Sequence, residues 1–422
     1  MAIKVCDAIM GSGKSSAAIN YMNEHKERKF IYITPYLEEA ARIRNSCPEL
    51  NFKEPSNKLP EFDFRKFKHT VELIKCGENI TSTHNMFLSY TDEMINLIKA
   101  KHYTLIVDEA VEILRQSSIY KSDIQLLEAA GWIHNNGKYI EVNPTFDYQE
   151  GMMSKVVSLS KGNRLVNMVD GDGDPYYYWA FSQEIFEAFD DVIVLTYLFE
   201  AQTMKYYFDM NDMPYKIIGI KRDSQGGYHF SDTPEYIPKY TATLSSKIHI
   251  FENDKLNSIG NGVYDLSHSW FQKIAKNNPE AKDQLRKNVN NFFLNYNRDK
   301  PSQARLWATY KSAEGFVRGK GYYYRDIAFN AKATNNFKDR TVLAYCVNIF
   351  MQPNEKNYLM NNGVRVLEDR YALSVMIQWI WRSAIRDGKE IWIYIPSKRM
   401  RELLKNWIVE TENNYTYKGV EN

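Results

Sequence analysis

The sequence predicts an α/β protein of two tandem domains built on parallel sheets, and three observations carry that expectation. At about 150 residues per domain, 422 residues make two or three domains, and 44% apolar content lets each bury its own core. Four apolar runs in the first half, Ile3–Cys6, Phe30–Ile33, Tyr103–Val107 and Val192–Leu195, are separated by helical stretches, as in strands covered on both faces. The rhythm returns in Lys247–Phe251, Ala304–Thr309, Thr341–Val347 and Glu390–Ile395, interleaved with helical spacing around Ser269–Ala275, Leu285–Leu294 and Ala372–Ile385.

The chain opens strand, turn, helix. Ile3–Cys6 is the strand, Gly11-Ser12-Gly13 accepts positive φ at little steric cost, and Ser15–Met22 has helical apolar spacing. A second strand, Phe30–Ile33, ends at Thr34-Pro35 and is followed by the helical Leu37–Ile43. Between Leu114 and Asp190 the rhythm breaks into turn signals and an aromatic run, Tyr176-Tyr177-Tyr178-Trp179, which predicts an insertion over about 115–190. The acidic turn Asp170–Asp174 lacks a glutamate at calcium-loop spacing and reads as a solvated turn. Gln225-Gly226-Gly227, Thr233-Pro234 and Ile237-Pro238 predict a linker, giving domains over 1–215 and 241–422 joined by 216–240. The polar tail after Val409 is expected to fray.

Composition narrows the function classes. Four scattered cysteines, Cys6, Cys47, Cys76 and Cys346, form no C-x-x-C pair, which argues against a zinc site and a disulfide framework. The longest apolar runs fall far short of the ~20 residues of a membrane span, and the early Gly11 turn leaves no room for a secretion signal, so a cytoplasmic protein is expected. Net charge is +2, unevenly spread: residues 1–200 carry 21 Lys and Arg against 29 Asp and Glu, a net of −8, while 201–422 carry 33 against 23, a net of +10. A basic half suits a polyanion such as nucleic acid, although an imbalance of this size also arises by chance.

Two motifs carry chemistry. Ala8-Ile9-Met10-Gly11-Ser12-Gly13-Lys14-Ser15 matches a phosphate-binding loop with Ala8 in place of the first glycine. Backbone N–H groups from Gly11 to Ser16 can converge on phosphates at the helix N-terminus, Lys14 can reach the β- and γ-phosphates, and Ser15 can ligate Mg²⁺. Leu105-Ile106-Val107-Asp108-Glu109-Ala110 supplies an acidic pair after a buried strand: Asp108 for the Mg²⁺ shell, Glu109 to orient and deprotonate the attacking water. Together they predict hydrolysis of a nucleoside triphosphate with Mg²⁺ rather than mere binding.

With these motifs the sequence resembles the superfamily 2 helicases and translocases, whose two RecA-like P-loop domains close on ATP and walk on nucleic acid. Gly11–Ser15 is similar to motif I, and Asp108-Glu109-Ala110-Val111 to a DEAD/DEAH motif II. Thr34-Pro35-Tyr36 resembles motif Ia, and Ile80-Thr81-Ser82-Thr83-His84-Asn85 the threonine-rich segment bordering the nucleic acid; the resemblance implies contacts from Thr34, Pro35, Thr83, His84 and Asn85. Leu195-Thr196-Tyr197 stands where motif III couples the ATP site to the track. Ala333-Thr334-Asn335-Asn336 is either motif V, which would bring Thr334 and Asn335 to the nucleic acid, or an ordinary polar turn.

Gln378-Trp379-Ile380-Trp381-Arg382-Ser383-Ala384-Ile385-Arg386 resembles motif VI, which implies catalytic roles for Gln378 and for Arg382 or Arg386 at the γ-phosphate. Trp381 replaces the usual glycine and the arginines lie four apart rather than three, which leaves the finger open between them. Either spacing puts both on one face of a helix. The plainer reading is an amphipathic helix with solvated arginines and core tryptophans. No Q-motif can precede the short first strand, so base selection is unassigned.

The resemblance therefore implies an ATP-driven helicase or translocase, most readily on single-stranded or forked DNA, of the size of a phage or mobile-element replication or recombination protein. Two rivals remain: a nucleic-acid-stimulated ATPase that remodels protein complexes, and a P-loop kinase or nucleotide switch. Trp132 and the run Tyr176–Trp179 either stack on bases or form the insertion's own core.

Overall fold

The protein is described by a computed structural model that covers residues 2–419 except 113, 118, 138, 144, 146–155, 157–164, 170–172 and 332–335. Thr334, Asn335 and most of the acidic turn at 170–174 thus lie outside the described residues. The chain divides into two compact units: Met1–Ala8, Gly13–Glu235 and Pro353–Val366 in one, Ile9–Ser12, Tyr236–Gln352 and Leu367–Asn422 in the other.

In the first unit the apolar runs form β1 (Ala2–Asp7), β2 (Lys29–Thr34), β3 (Ile80–Thr83) and β4 (Tyr103–Asp108). The insertion follows as β5 (Leu114–Gln116), β6 (Ile133–Asn135), β7 (Ile140–Val142), β8 (Leu165–Val169) and β9 (Pro175–Ala180). The chain then returns through β10 (Asp191–Thr196), β11 (Tyr215–Arg222) and β12 (Tyr228–Ser231). One sheet runs β12-β11-β1-β10-β4-β2-β3, parallel throughout except for the antiparallel β11–β12 pair. Val5, Ile31, Leu105 and Val194 are fully buried in its core, each stabilising the fold by about 1.5–3 kcal/mol.

The insertion has its own small core of Ile124, Leu127, Ile133, Ile140, Leu165 and Tyr177, beside an antiparallel sheet β5-β9-β8. Tyr177 joins that small core and Trp132 packs against it, whereas Trp179 is buried in the core of the large sheet rather than in the insertion's own. The linker expectation is corrected over 216–231, which is β11, a turn and β12. Gln225-Gly226-Gly227 is the hairpin tip: Asp223 Oδ1 accepts from the N–H groups of Gln225 (2.9 Å) and Gly227 (2.7 Å), and Gly226 takes φ 88°.

The second unit holds β13 (Ile248–Phe251), β14 (Arg305–Ala308), β15 (Val342–Tyr345) and β16 (Ile391–Tyr394), in the parallel order β13-β16-β15-β14. Its core gathers Phe292, Phe293, Trp307, Val342 and Tyr394. The α/β expectation of two parallel-sheet units thus matches the fold. The helix expected over Ala372–Ile385 is corrected: helix Glu368–Ile380 stops five residues earlier. Ser383 Oγ donates to the Ile380 carbonyl (2.6 Å) and the Ala384 N–H to the Arg340 carbonyl (2.9 Å), which diverts the backbone into a 3-10 turn, Ala384–Asp387. Arg382 and Arg386 therefore do not share a helix face.

Candidate nucleoside triphosphate site

The parallel register brings the predicted residues to one edge of the first sheet. Asp7 of β1 pairs with Thr196 of β10, Leu195 with Asp108 of β4, and Thr34 of β2 with Thr83 of β3. Ligands of open α/β sheets bind at this carboxyl edge.

From β1 the chain turns through the glycine-rich loop into helix α1 (Lys14–Glu24). Gly11 and Gly13 adopt φ 75° and 88°, a left-handed backbone that other residues resist. Gly13 has a second reason to be glycine: a Cβ there would lie 2.2 Å from the Tyr228 ring. Lys14 donates to the carbonyl of Ala8, the residue standing at the first-glycine position. Ser15 and Ser16 are half-buried in the first turn of α1, and Ser12 is buried.

Opposite the loop stand the two acids. Burial, then the charges of Glu109 and Glu39, push the Asp108 carboxyl up to about 7, against the pull of Lys14 and Arg42. Burial likewise lowers Lys14, while Cys6, Asp108, Asp7 and Glu109 oppose the shift. A lysine and a carboxyl each pushed towards its neutral form suit a charged ligand that arrives with a counter-ion. Ser15 and Asp108 offer hard oxygen donors suited to Mg²⁺. Among the described residues no group of three or more His, Cys, Asp and Glu is assembled to hold a metal alone, so a cation here would draw further ligands from phosphate and water.

Glu109 is held in an unusual backbone. Its φ is 62°, a left-handed conformation that costs a non-glycine residue about 1–2 kcal/mol. The peptide joining Asp108 to Glu109 is held at both ends. The Glu109 N–H donates to the Leu195 carbonyl (2.9 Å), and His84 Nε2 lies 2.9 Å from the Asp108 carbonyl, so that nitrogen carries the hydrogen. His84 is thus buried against the acidic strand, in a role the sequence did not indicate. Thr34 is fully buried, Thr83 and Pro35 are half-buried, and Asn85 is exposed. Thr83 also accepts from the Met86 N–H (3.4 Å) and caps the short helix His84–Phe87.

Sequence reasoning also missed Asp7, whose Oδ2 accepts from the Phe199 N–H (3.0 Å), and Gln202, whose Nε2 donates to Thr196 Oγ1 (2.7 Å) and the Tyr197 carbonyl (2.7 Å). The Asp7 bond ties the loop after β10 to the end of β1, and the Gln202 bonds fold that loop back on the end of β10. A charged residue closing the apolar run of β1 was the available signal. In the second unit Gln378 is half-buried, Arg382 buried and Arg386 exposed. Trp379 and Trp381 are core residues, on Tyr345 and Trp407 at ring distances of 5.0 and 5.5 Å.

No helix among the described residues is long and apolar enough to cross a membrane. Residues 242–408 match the family model described as the YonV C-terminal Rossmann-like domain. The chain aligns with solved structures described as XPD_APO (11% identity, 96% of this chain and 95% of that one, TM-score 0.45) and Xpd4 of S. tokodaii (13% identity, 96% and 94%, TM-score 0.43). It is 37% identical over 414 residues, 96% of this chain and 98% of the relative, to the SPbeta prophage-derived uncharacterized protein YonV of Bacillus subtilis (strain 168). That identity over nearly both full lengths makes this chain a member of the YonV family.

Proposed function

We propose that the chain is an ATP-hydrolysing motor on nucleic acid, a helicase or translocase acting most readily on DNA. One observation carries the reading: the Gly11–Ser16 turn and the half-buried Asp108-Glu109 pair share one carboxyl edge of a parallel sheet, with Lys14 electrostatically tied to both acids. In this reading the loop amides cradle the phosphates and Lys14 neutralises the β- and γ-oxygens. Ser15 and Asp108 would hold Mg²⁺, which supplies charge neutralisation on the phosphates when bound. Glu109 orients a water in line with the γ-phosphorus and accepts its proton. Arg382 or Arg386, with Gln378, would serve the γ-phosphate.

The nucleic-acid side of the reading is supported by where the threonine segments lie. Thr34 and Thr83 are register partners at the edge that also ends in Asp108, so Pro35, Thr83 and Asn85 are the groups available to a phosphate backbone. His84 runs from that segment to the peptide of the proposed base, a short path by which nucleic acid can alter hydrolysis. A role in phage or mobile-element replication or recombination accords with the prophage origin of the relative.

Phosphate release measured against single-stranded, duplex and forked DNA and RNA, with strand displacement on the same substrates, tests the proposal. Stimulation by single strands together with displacement is the expected result. Stimulation without displacement of any fork, gap or tailed duplex identifies a remodelling ATPase instead. Turnover indifferent to every nucleic acid points to a kinase or switch.

A further inference from the structure

The sequence assigns no residue to the nucleoside half of the nucleotide, and the β11–β12 hairpin offers one. In the strand order β12-β11-β1-β10-β4, the acids that would face a γ-phosphate stand two strands to one side of the loop-bearing β1. A triphosphate laid on that loop therefore points its nucleoside end to the opposite side, towards β11 and β12. There Tyr228 rests on Gly13: a Cβ built on Gly13 would meet ring atoms Cδ1, Cγ and Cε1 at 2.2, 2.5 and 2.6 Å, near-equal distances that place it over the ring's face. The guanidinium of Arg222, register partner of Tyr228, lies 5.4 Å from the ring centroid, and Arg222 Nε donates to the Gly226 carbonyl (3.3 Å).

The hairpin is fastened to the helix that carries the loop. Asn20 Nδ2 donates to the Tyr228 carbonyl (2.9 Å), His229 bridges Asp223 (2.8 Å) and Glu24 (3.4 Å), and Phe230 packs edge-on against Tyr21. A half-exposed aromatic ring with an exposed guanidinium over it, fixed at the nucleoside side of a phosphate loop, makes a layered stacking surface on which a base can lie.

We propose that Tyr228 and Arg222 form a nucleobase platform that grips the base by its π-face. The proposal rests on the phosphate-loop reading and extends it to the base. Because every base has a π-face, the platform favours nucleotide over bare phosphate while discriminating little between adenine and guanine.

Equilibrium binding of ADP, GDP and inorganic pyrophosphate to the full chain and its variants tests it, since none of these is consumed by hydrolysis. Tyr228→Ala is expected to weaken ADP and GDP about tenfold and leave pyrophosphate within about twofold; Tyr228→Phe keeps all three, and Arg222→Ala loses about threefold on the nucleotides alone. Tyr228→Leu, which keeps an apolar cover on Gly13 without a π-face, should behave as Tyr228→Ala and serves if the alanine variant does not fold. Unchanged ADP affinity in the alanine and leucine variants, or equal losses of ADP and pyrophosphate, overturns the platform and leaves the ring as a support of the loop. Wild-type chain that binds pyrophosphate as tightly as ADP also overturns it while the phosphate site stands; wild-type chain that binds neither sinks the phosphate-loop reading itself.

Discussion

Lys14 in the first unit and Arg401 in the second both withdraw a cation from water, yet their surroundings differ. Arg401 donates from Nη1 to the carbonyls of Ile395 (2.8 Å) and Pro396 (3.2 Å), with Glu252 at 3.4 Å, just beyond the end of β16. Arg305 does the same for Gly321 (3.1 Å) and Lys300 (3.3 Å). These arginines satisfy backbone that would otherwise be stranded. Lys14 also donates to a carbonyl, that of Ala8, but unlike the arginines it faces Cys6, Asp7, Asp108 and Glu109, where burial pushes lysine and carboxyl towards neutrality beside a left-handed Glu109. A cation that caps carbonyls is architecture, whereas opposed, desolvated charges on a strained backbone are poised for a ligand.

That contrast can be broken by substitution. Lys14→Ala should lower kcat/KM for ATP by about a thousandfold or more with little change in thermal unfolding, since the charge serves the ligand. Arg401→Ala should do the reverse, costing about 3 kcal/mol in denaturant unfolding and leaving ADP affinity unchanged, because two carbonyls and Glu252 lose their buried partner. If Arg401→Ala instead abolished nucleotide binding in a folded chain, the division between the two kinds of cation would fail.

His84→Ala sharpens the comparison within the first unit. Releasing the Asp108 carbonyl should lower kcat about tenfold with KM unchanged, and His84→Gln, which can still donate, should restore most of it. A change confined to KM would mean that His84 only shapes the loop.

The smallest effect concerns Glu355, on the helix Pro353–Asn361, whose carboxyl is pushed up to about 7 by burial and by the charge of Glu112. An acid raised on folding is stabilising in its protonated form, so its contribution is lost as pH rises from about 4.5 to about 7. Glu355→Gln should flatten unfolding stability over that window and raise it by about 1–3 kcal/mol at pH 8.

The strands of both sheets were easiest to read where apolar residues run together, as in β2, β4, β10, β15 and β16. The sequence hid β3, whose Thr81, Ser82 and Thr83 are polar, the first two buried and the third half-buried by sheet pairing that no local pattern records. The β11–β12 hairpin carries the signals of a linker, because Gly226-Gly227 and the nearby prolines mark turns, and a turn at the edge of a sheet looks the same in sequence as a turn between domains. Lys14, Ser15, Asp108 and Glu109 were legible from spacing. His84, Asp7 and Tyr228 were not, since each acts on a residue distant in sequence. The helix over Ala372–Ile385 failed at Ser383, where a side-chain bond to Ile380 replaced the continuing ladder.

The most direct test of the central claim is steady-state phosphate release from Mg-ATP by the wild-type chain and Glu109→Gln, with and without single-stranded DNA. Wild-type turnover that rises with DNA, and a variant that still binds ADP but releases phosphate at least a hundredfold more slowly, is the predicted result. Near-equal rates from the two proteins would contradict it, because the water would then be activated by a group other than Glu109.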